Sequence, residues 1–179
     1  VRANPVRGAV KPGTEPGLEA TAYFGPATGA TANGVHGVIL EIDPETLQVL
    51  IKKYVVVHDC GKVVNPMIVE GQMHGGVLQG IGNAYYEQLV YDENGQLLTA
   101  SLMDYLVPTA TDAPRIIETG HVETLSPQNP VGVKGTGEAG TIPAAAVFVQ
   151  AIENALQDRK IEIHEVPLSP SRLFEILKK

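Results

Sequence analysis

Two β-branched runs, residues 35–42 and 47–57, flank Asp43, Pro44, Glu45 and Thr46, a spacing that predicts paired strands joined by a turn. The second run is apolar at both parities of the pleat and predicts a strand partly buried on both faces. Residues 18–24 alternate and predict an earlier strand, followed by a Gly/Thr/Ala-rich loop over 25–33. From about residue 67 to 87 the period becomes helical, with Met73, Val77, Ile81 and Ala84 as the apolar stripe. Asp92 to Gly95 reads as a turn, residues 115–123 as a further strand and 160–164 as a short one. Thr141 suits an N-cap and Pro143 a first turn. The helix they open carries Ile142, Ala145, Val149, Ile152 and Leu156 as its buried face. A last helix starts at Ser169 and Pro170, with Leu173, Phe174 and Leu177 on its apolar side. The pattern predicts an α+β fold, a mixed sheet with packed helices.

Opposite the apolar stripe of the first helix lie Gly71, Gln72, Gly75, Gly76, Gln79, Gly82 and Asn83, a face that is small and polar but uncharged. Glycine inside a helix costs about 1 kcal/mol relative to alanine, so this many imply close approach by something. That something is either another packed element or a cofactor, and the two readings can hold together.

The chain has 179 residues, enough for one domain with a real core or for a large piece of a bigger one. Residues 1–17 are rich in Pro and Gly and read as an irregular arm or linker. The net charge of −7, without a block of Lys or Arg, argues against nucleic acid as a partner. No stretch is long enough to span a membrane. The first residues lack an initiator Met and a signal core, so the chain is expected to begin inside a longer polypeptide. The single cysteine, Cys60, excludes an internal disulfide and fits a reducing, cytoplasmic compartment.

The densest chemistry lies at residues 132–140, Gly-Val-Lys-Gly-Thr-Gly-Glu-Ala-Gly. Glycines let backbone N–H groups approach a ligand, and a following helix start would add further donors. Glu138 would then sit beside whatever acceptor-rich group those donors bind. Burial next to an apolar pocket would suit it to general-base work; the competing reading is a carboxylate that merely accepts N–H groups at a helix start. Lys134 either binds a phosphate or points to solvent.

Residues 135–140 also satisfy G-x-G-x-x-G, with Glu165 placed as a ribose-binding acid would be. That reading needs a strand leading into the glycines, and Ser126-Pro-Gln-Asn-Pro130 precludes one. His36, His58, His74, His121 and His164 are widely separated along the chain and predict no metal set. Cys60 reads as a small buried residue rather than a reactive thiol, and no serine sits in a nucleophile elbow.

Five segments together resemble the molybdopterin-binding large subunit of the xanthine dehydrogenase, aldehyde oxidase and carbon monoxide dehydrogenase family. They are Gly-Leu-Glu-Ala-Thr-Ala-Tyr-Phe at 17–24, Val-His-Asp-Cys-Gly-Lys-Val-Val-Asn-Pro at 57–66, the glycine-rich stretch 70–82, Leu-Met-Asp-Tyr at 102–105, and residues 126–140. They occur in the family's order and spacing. The resemblance implies that residues 18–179 are the C-terminal molybdopterin-binding region of a larger subunit. It also implies a molybdenum hydroxylase oxidising an aldehyde, N-heterocycle or similar small substrate. Glu138 falls on the family's catalytic base, Gln72 on a glutamine that hydrogen-bonds the cofactor, and Lys134, Gly135, Thr136 and Gly137 on backbone that lines it. Iron–sulfur clusters, with or without FAD, belong to partner subunits rather than to this chain. The remaining N-terminal part of the large subunit is a further implied partner. The chain alone is expected to be inactive and prone to self-association. In the carbon monoxide branch a cysteine on an upstream loop holds copper, and Cys60 is outside that motif. Ala139 and Gly140 after the glutamate, where the xanthine branch often has Pro, favour the aldehyde- or carbon monoxide-type relatives. A non-catalytic binding module and an NAD(P)-binding domain are the alternative readings.

Overall fold

A computed structural model of the chain describes residues 20–178. The expected arm over 1–17 lies outside them. The element order is β1 (Asn33–Ile42), β2 (Val49–Asp59), α1 (Pro66–Ile81), β3 (Ile117–His121), α2 (Ala144–Ala155) and α3 (Pro170–Leu177). The sheet is mixed, in the order β1-β2-β3, with β1 antiparallel and β3 parallel to the central strand. The β1–β2 turn closes on Asp43, whose Oδ1 accepts from the amides of Glu45 and Thr46. A parallel neighbour demands a long crossover; α1 and the irregular segment after it supply that connection from β2 to β3.

Along β2 the pleat sends Tyr54, Val56 and His58 to one face, and all three are buried. Tyr54 and Val56 pack there with Met73, Val77 and Ile81 of α1 and Ala144 of α2. A second cluster joins Ala84, Tyr85, Phe148, Ile152, Ile163, Leu168 and Leu173, tying α2 and α3 to the end of α1. Asn65 caps α1 by accepting from the Ile68 amide, and Pro66 occupies the first turn. The helix runs on through a π-helical turn, Gly82–Tyr86, as the periodicity to residue 87 predicts.

Four local expectations are corrected. Residues 20–24 have no regular structure, and Tyr23 is 97% and Phe24 68% exposed, because no described strand pairs with them. Residues 160–164 are not a strand: Lys160 is left-handed at φ 51°, and the Ile163 amide is taken by the Glu153 carboxylate at 2.8 Å. Thr141 does not cap α2; its hydroxyl donates to the Gly76 carbonyl instead, at 2.9 Å, and the helix starts three residues later. That shift makes Ala144, Phe148 and Ile152 the deeply buried face, with Ala145, Val149 and Leu156 partly buried beside it and Ile142 73% exposed.

The glycine face of α1 resolves into two edges. An added Cβ at Gly76 would lie 2.8 Å from Gly140 Cα, and one at Gly80 would lie 2.3 Å from Ala144 Cβ. These glycines admit the α2 entry segment. At Gly71 and Gly75 an added Cβ meets nothing within 4 Å. Packing therefore accounts for one edge and leaves the other bare. The urea midpoint of Gly76→Ala should fall by an amount equivalent to about 1–3 kcal/mol of overpacking. Gly75→Ala should instead gain about 0.4–1 kcal/mol from a less flexible unfolded chain. Equal effects at both positions would contradict the two-edge description.

Candidate functional site

The glycine-rich loop is held in place by residues distant in sequence. Gly61, at φ 66°, lets β2 end against it: an added Cβ there would lie 2.1 Å from the Gly132 carbonyl oxygen. That oxygen accepts from the amides of Lys62 and Ser126, each at 3.1 Å. Asn129 pairs both backbone groups of Val133, accepting from its N–H at 3.0 Å and donating to its carbonyl at 2.8 Å. Gly61 and Val133 form only an isolated bridge, so no strand leads into the glycines. Glu165 is paired with Arg172 at 2.7 Å. The dinucleotide arrangement is thus unsupported.

Lys134 corrects an expectation. It neither faces solvent nor keeps a free amide: its N–H donates to the Cys60 carbonyl at 2.7 Å. Its ammonium donates to Asp59 Oδ2 at 2.9 Å and Thr124 Oγ1 at 2.6 Å, with only 10% of each charged side chain exposed. Thr124 donates its hydroxyl to the same carboxylate, and the amides of Thr124 and Gly61 bind its other oxygen. The Thr124 hydroxyl, followed by Lys134 and the two amides, holds the Asp59 carboxyl well below the usual carboxylate range.

Beyond Lys134 the loop is open. Among the described residues, the amides of Gly135, Thr136, Gly137 and Glu138 meet no protein acceptor. An added Cβ would meet nothing within 4 Å at Gly135, and at Gly137 only the Gln72 amide nitrogen, at 4.0 Å. Gln72 donates to the Gly137 carbonyl at 3.4 Å. Gln72 and the loop, 65 positions apart, therefore form one surface, bordered by the bare edge of α1. Glu138 is exposed, and no described residue bonds its carboxylate. Its carbonyl accepts from the amides of Thr141 and Ile142, so those two donors at the start of α2 face no ligand. The apolar pocket expected around Glu138 is not furnished by the described residues. A cavity of about 830 Å³ lies elsewhere, between β2, Tyr85, Tyr86 and residues 106–115.

His36 is a neighbour of the loop that sequence reasoning missed. Its Nε2 lies 3.2 Å from the Ala139 carbonyl, and its Nδ1 lies 2.9 Å from the Tyr54 hydroxyl. A carbonyl only accepts, so the neutral ring donates from Nε2 and accepts the Tyr54 proton at Nδ1. A core tyrosine thus braces the residue next to Glu138. Burial pushes the His36 ring down, against the Ala139 carbonyl, which raises it. The long gaps between histidines also conceal a pairing across the sheet. Parallel pairing sets His58 of β2 opposite His121 of β3, their ring centroids 5.1 Å apart. Burial, then the neighbouring His121, push His58 down, while burial pushes the Cys60 thiol up. The Val-His-Asp-Cys-Gly segment was the only sequence signal for either group.

A family model described as "Molybdopterin cofactor-binding domain" matches residues 3–114. The chain is 43% identical over 166 residues to the nicotine 6-hydroxylase large subunit of Paenarthrobacter nicotinovorans, covering 93% of this chain and 20% of that protein. It is 36% identical to the carbon monoxide dehydrogenase large chain of Hydrogenophaga pseudoflava, with the same coverage. Among solved structures, quinoline 2-oxidoreductase from Pseudomonas putida 86 superposes with a TM-score of 0.87 at 44% identity, over 95% of this chain and 22% of that one. The Cu,Mo carbon monoxide dehydrogenase superposes at 0.85 and 35%, over 93% and 21%. The chain thus spans about a fifth of the length of the curated relatives it matches.

The depressed groups set the acid stability. A group whose folded pKa lies below its unfolded value contributes stability above the unfolded pKa and loses it as pH falls through the folded one. The urea midpoint should decline first below about pH 6.5, where His36 and His58 are forced to protonate, and again below about pH 4 as Asp59 does. His36→Gln should flatten the first decline and Asp59→Asn the second, in midpoints measured from pH 8 to 3. A single decline insensitive to both variants would contradict these assignments.

Proposed function

This chain belongs to the molybdopterin cofactor-binding domain family, and we propose that it forms part of the molybdopterin site of a molybdenum hydroxylase, with Glu138 as the catalytic base. The observation that carries the reading is the surface around Glu138. A carboxylate without a described partner stands beside the free amides of Gly135, Thr136 and Gly137, and the bare backbone at Gly71, Gly75, Gly135 and Gly137 leaves room for a ligand to approach closely. That donor set fits an acceptor-rich pterin. Gln72 turns an amide towards the same loop, so its carboxamide can bridge loop and ligand.

In this reading the bound cofactor supplies two-electron redox chemistry. The protein's part is positional and protolytic. The three amides and Gln72 fix the ligand, and Glu138 takes up a proton on its carboxylate as the substrate carbon is oxidised. Tyr54 and His36, through the Ala139 carbonyl, keep the Glu138 backbone from swinging. Lys134 acts indirectly, anchoring the loop to Asp59.

N-heterocycles are the substrate class we favour, because two relatives above 40% identity are named for nicotine and quinoline. Aldehydes are the second. The site is completed by surfaces beyond the described residues, which we assign to the rest of the large subunit, with iron–sulfur and flavin subunits carrying electrons away. Residues 18–179 then act as one molybdopterin-binding region, working in the cytoplasm. Exposure of Met67, Ile68, Leu102, Met103 and Ile142, each more than half accessible, supports such docking. Among the described residues no helix is long and apolar enough to cross a membrane.

In the complete assembly, Glu138→Gln should lower turnover of an N-heterocycle by roughly 10²- to 10⁴-fold while molybdenum content stays at the wild-type level. Near-normal turnover would remove Glu138 from the role of base. Gly137→Val should instead lower the molybdenum retained on purification, since its side chain fills the space left for the ligand. Full retention would argue that the pterin does not lie on this loop.

A further inference from the structure

Alternation along β2, continued one residue past its end, turns His58 and Cys60 to one face and Asp59 to the other. His121 stands opposite His58 in the parallel register, so its side chain shares that face. The result is a cluster whose two imidazoles and one thiol each offer a ligand atom within 4.8 Å of the others. His58 is 4% exposed and Cys60 also 4%, yet neither ring nitrogen of His58 has a hydrogen-bond partner. Buried polar atoms without partners are rare and costly. Both histidines line a cavity of about 360 Å³ between this end of the sheet and α1, with Glu70 and Met73 on the helix side.

We propose that His58, Cys60 and His121 bind a zinc-class divalent ion at the end of the sheet, behind the glycine-rich loop. Mixed nitrogen and sulfur donors select borderline-soft ions such as zinc over magnesium or calcium. Zinc takes imidazole nitrogen at about 2.0–2.1 Å and thiolate at about 2.3 Å, so two nitrogens and one sulfur of a tetrahedron lie about 3.3–3.6 Å apart. The present cluster is up to about 1.5 Å wider, and a turn of the exposed His121 ring would narrow it. The Cys60 thiol gives its proton to solvent on binding, one nitrogen of His58 gains the partner it lacks, and the fourth position opens into the cavity.

Such an ion would staple the ends of β2 and β3 directly behind the segment that carries Lys134. Asp59, between two of the ligands, and the Cys60 carbonyl both bond Lys134. The site does not depend on the role proposed for Glu138.

The test uses the complete assembly purified from its source cells, incubated with zinc and desalted. Zinc X-ray absorption is element-specific, so molybdenum and iron do not interfere. The wild type should retain one more zinc than His121→Ala, and its spectrum should show a sulfur neighbour at about 2.3 Å that Cys60→Ser lacks. Zinc affinity should fall at least tenfold in either variant, and zinc should raise the unfolding temperature of the wild type but not of His121→Ala. His121 is exposed, so that variant keeps the fold even if Cys60→Ser does not. His164→Ala, at another exposed histidine, should behave as wild type. No zinc retained by the wild type, or identical zinc content and spectra in all four proteins, would overturn the proposal.

Discussion

Asp59 is the point on which the arrangement of the site depends. It ends the central strand, and its two oxygens gather the Thr124 hydroxyl and amide from beyond β3, the Gly61 amide from its own turn, and the Lys134 ammonium from the glycine-rich loop. Two segments 65 and 75 positions away in sequence are thereby fixed relative to one carboxylate. A nearly buried ion pair gains little by itself, because desolvation offsets the attraction. Here every oxygen is also hydrogen-bonded, and what the group contributes is register: the loop cannot slide along the end of the sheet without leaving a charge unpartnered.

The loop is held from two other sides as well. On one, Gly76 and Gly140 bring backbone against backbone, and the Thr141 hydroxyl locks the contact by donating to the Gly76 carbonyl. On the other, the Tyr54–His36–Ala139 chain runs from the core to the residue beside Glu138. All three restraints act on residues flanking 135–138 and none on the amides in between. The loop is rigid at its ends and chemically open in its middle, as a binding surface requires if its donors are to be preorganised yet free.

The parts legible in the sequence were those with a local cause. The β1–β2 hairpin follows from its β-branched runs and the Asp43 turn, α1 from its period and the Asn65–Pro66 start, and the prominence of residues 132–140 from glycine spacing alone. The strand expected over 160–164 failed because its apolar residues serve a core cluster without any neighbouring strand to pair with. On α2, Ile152 is buried as expected, while Ala144 and Phe148 rather than Ala145 and Val149 are the deeply buried residues of its first two turns. Lys134, His36 and the His58–His121 pair were illegible for a different reason. Their partners are set by sheet register and by a crossover of more than 50 residues, and no period in the sequence encodes which residues a parallel strand will place side by side.

Glu138 presents the remaining physical problem. A general base works best when its surroundings exclude water and its geometry is fixed. The described residues supply the second condition and not the first: the backbone is braced, while the carboxylate stands exposed. In the proposed site the bound pterin and surfaces beyond the described residues would supply the missing dryness. The division has a chemical logic. Before the ligand arrives, an exposed carboxylate carries no burial penalty and the fold is not strained by it. Only when the free amides are occupied would Glu138 be drawn out of water, beside the group it serves.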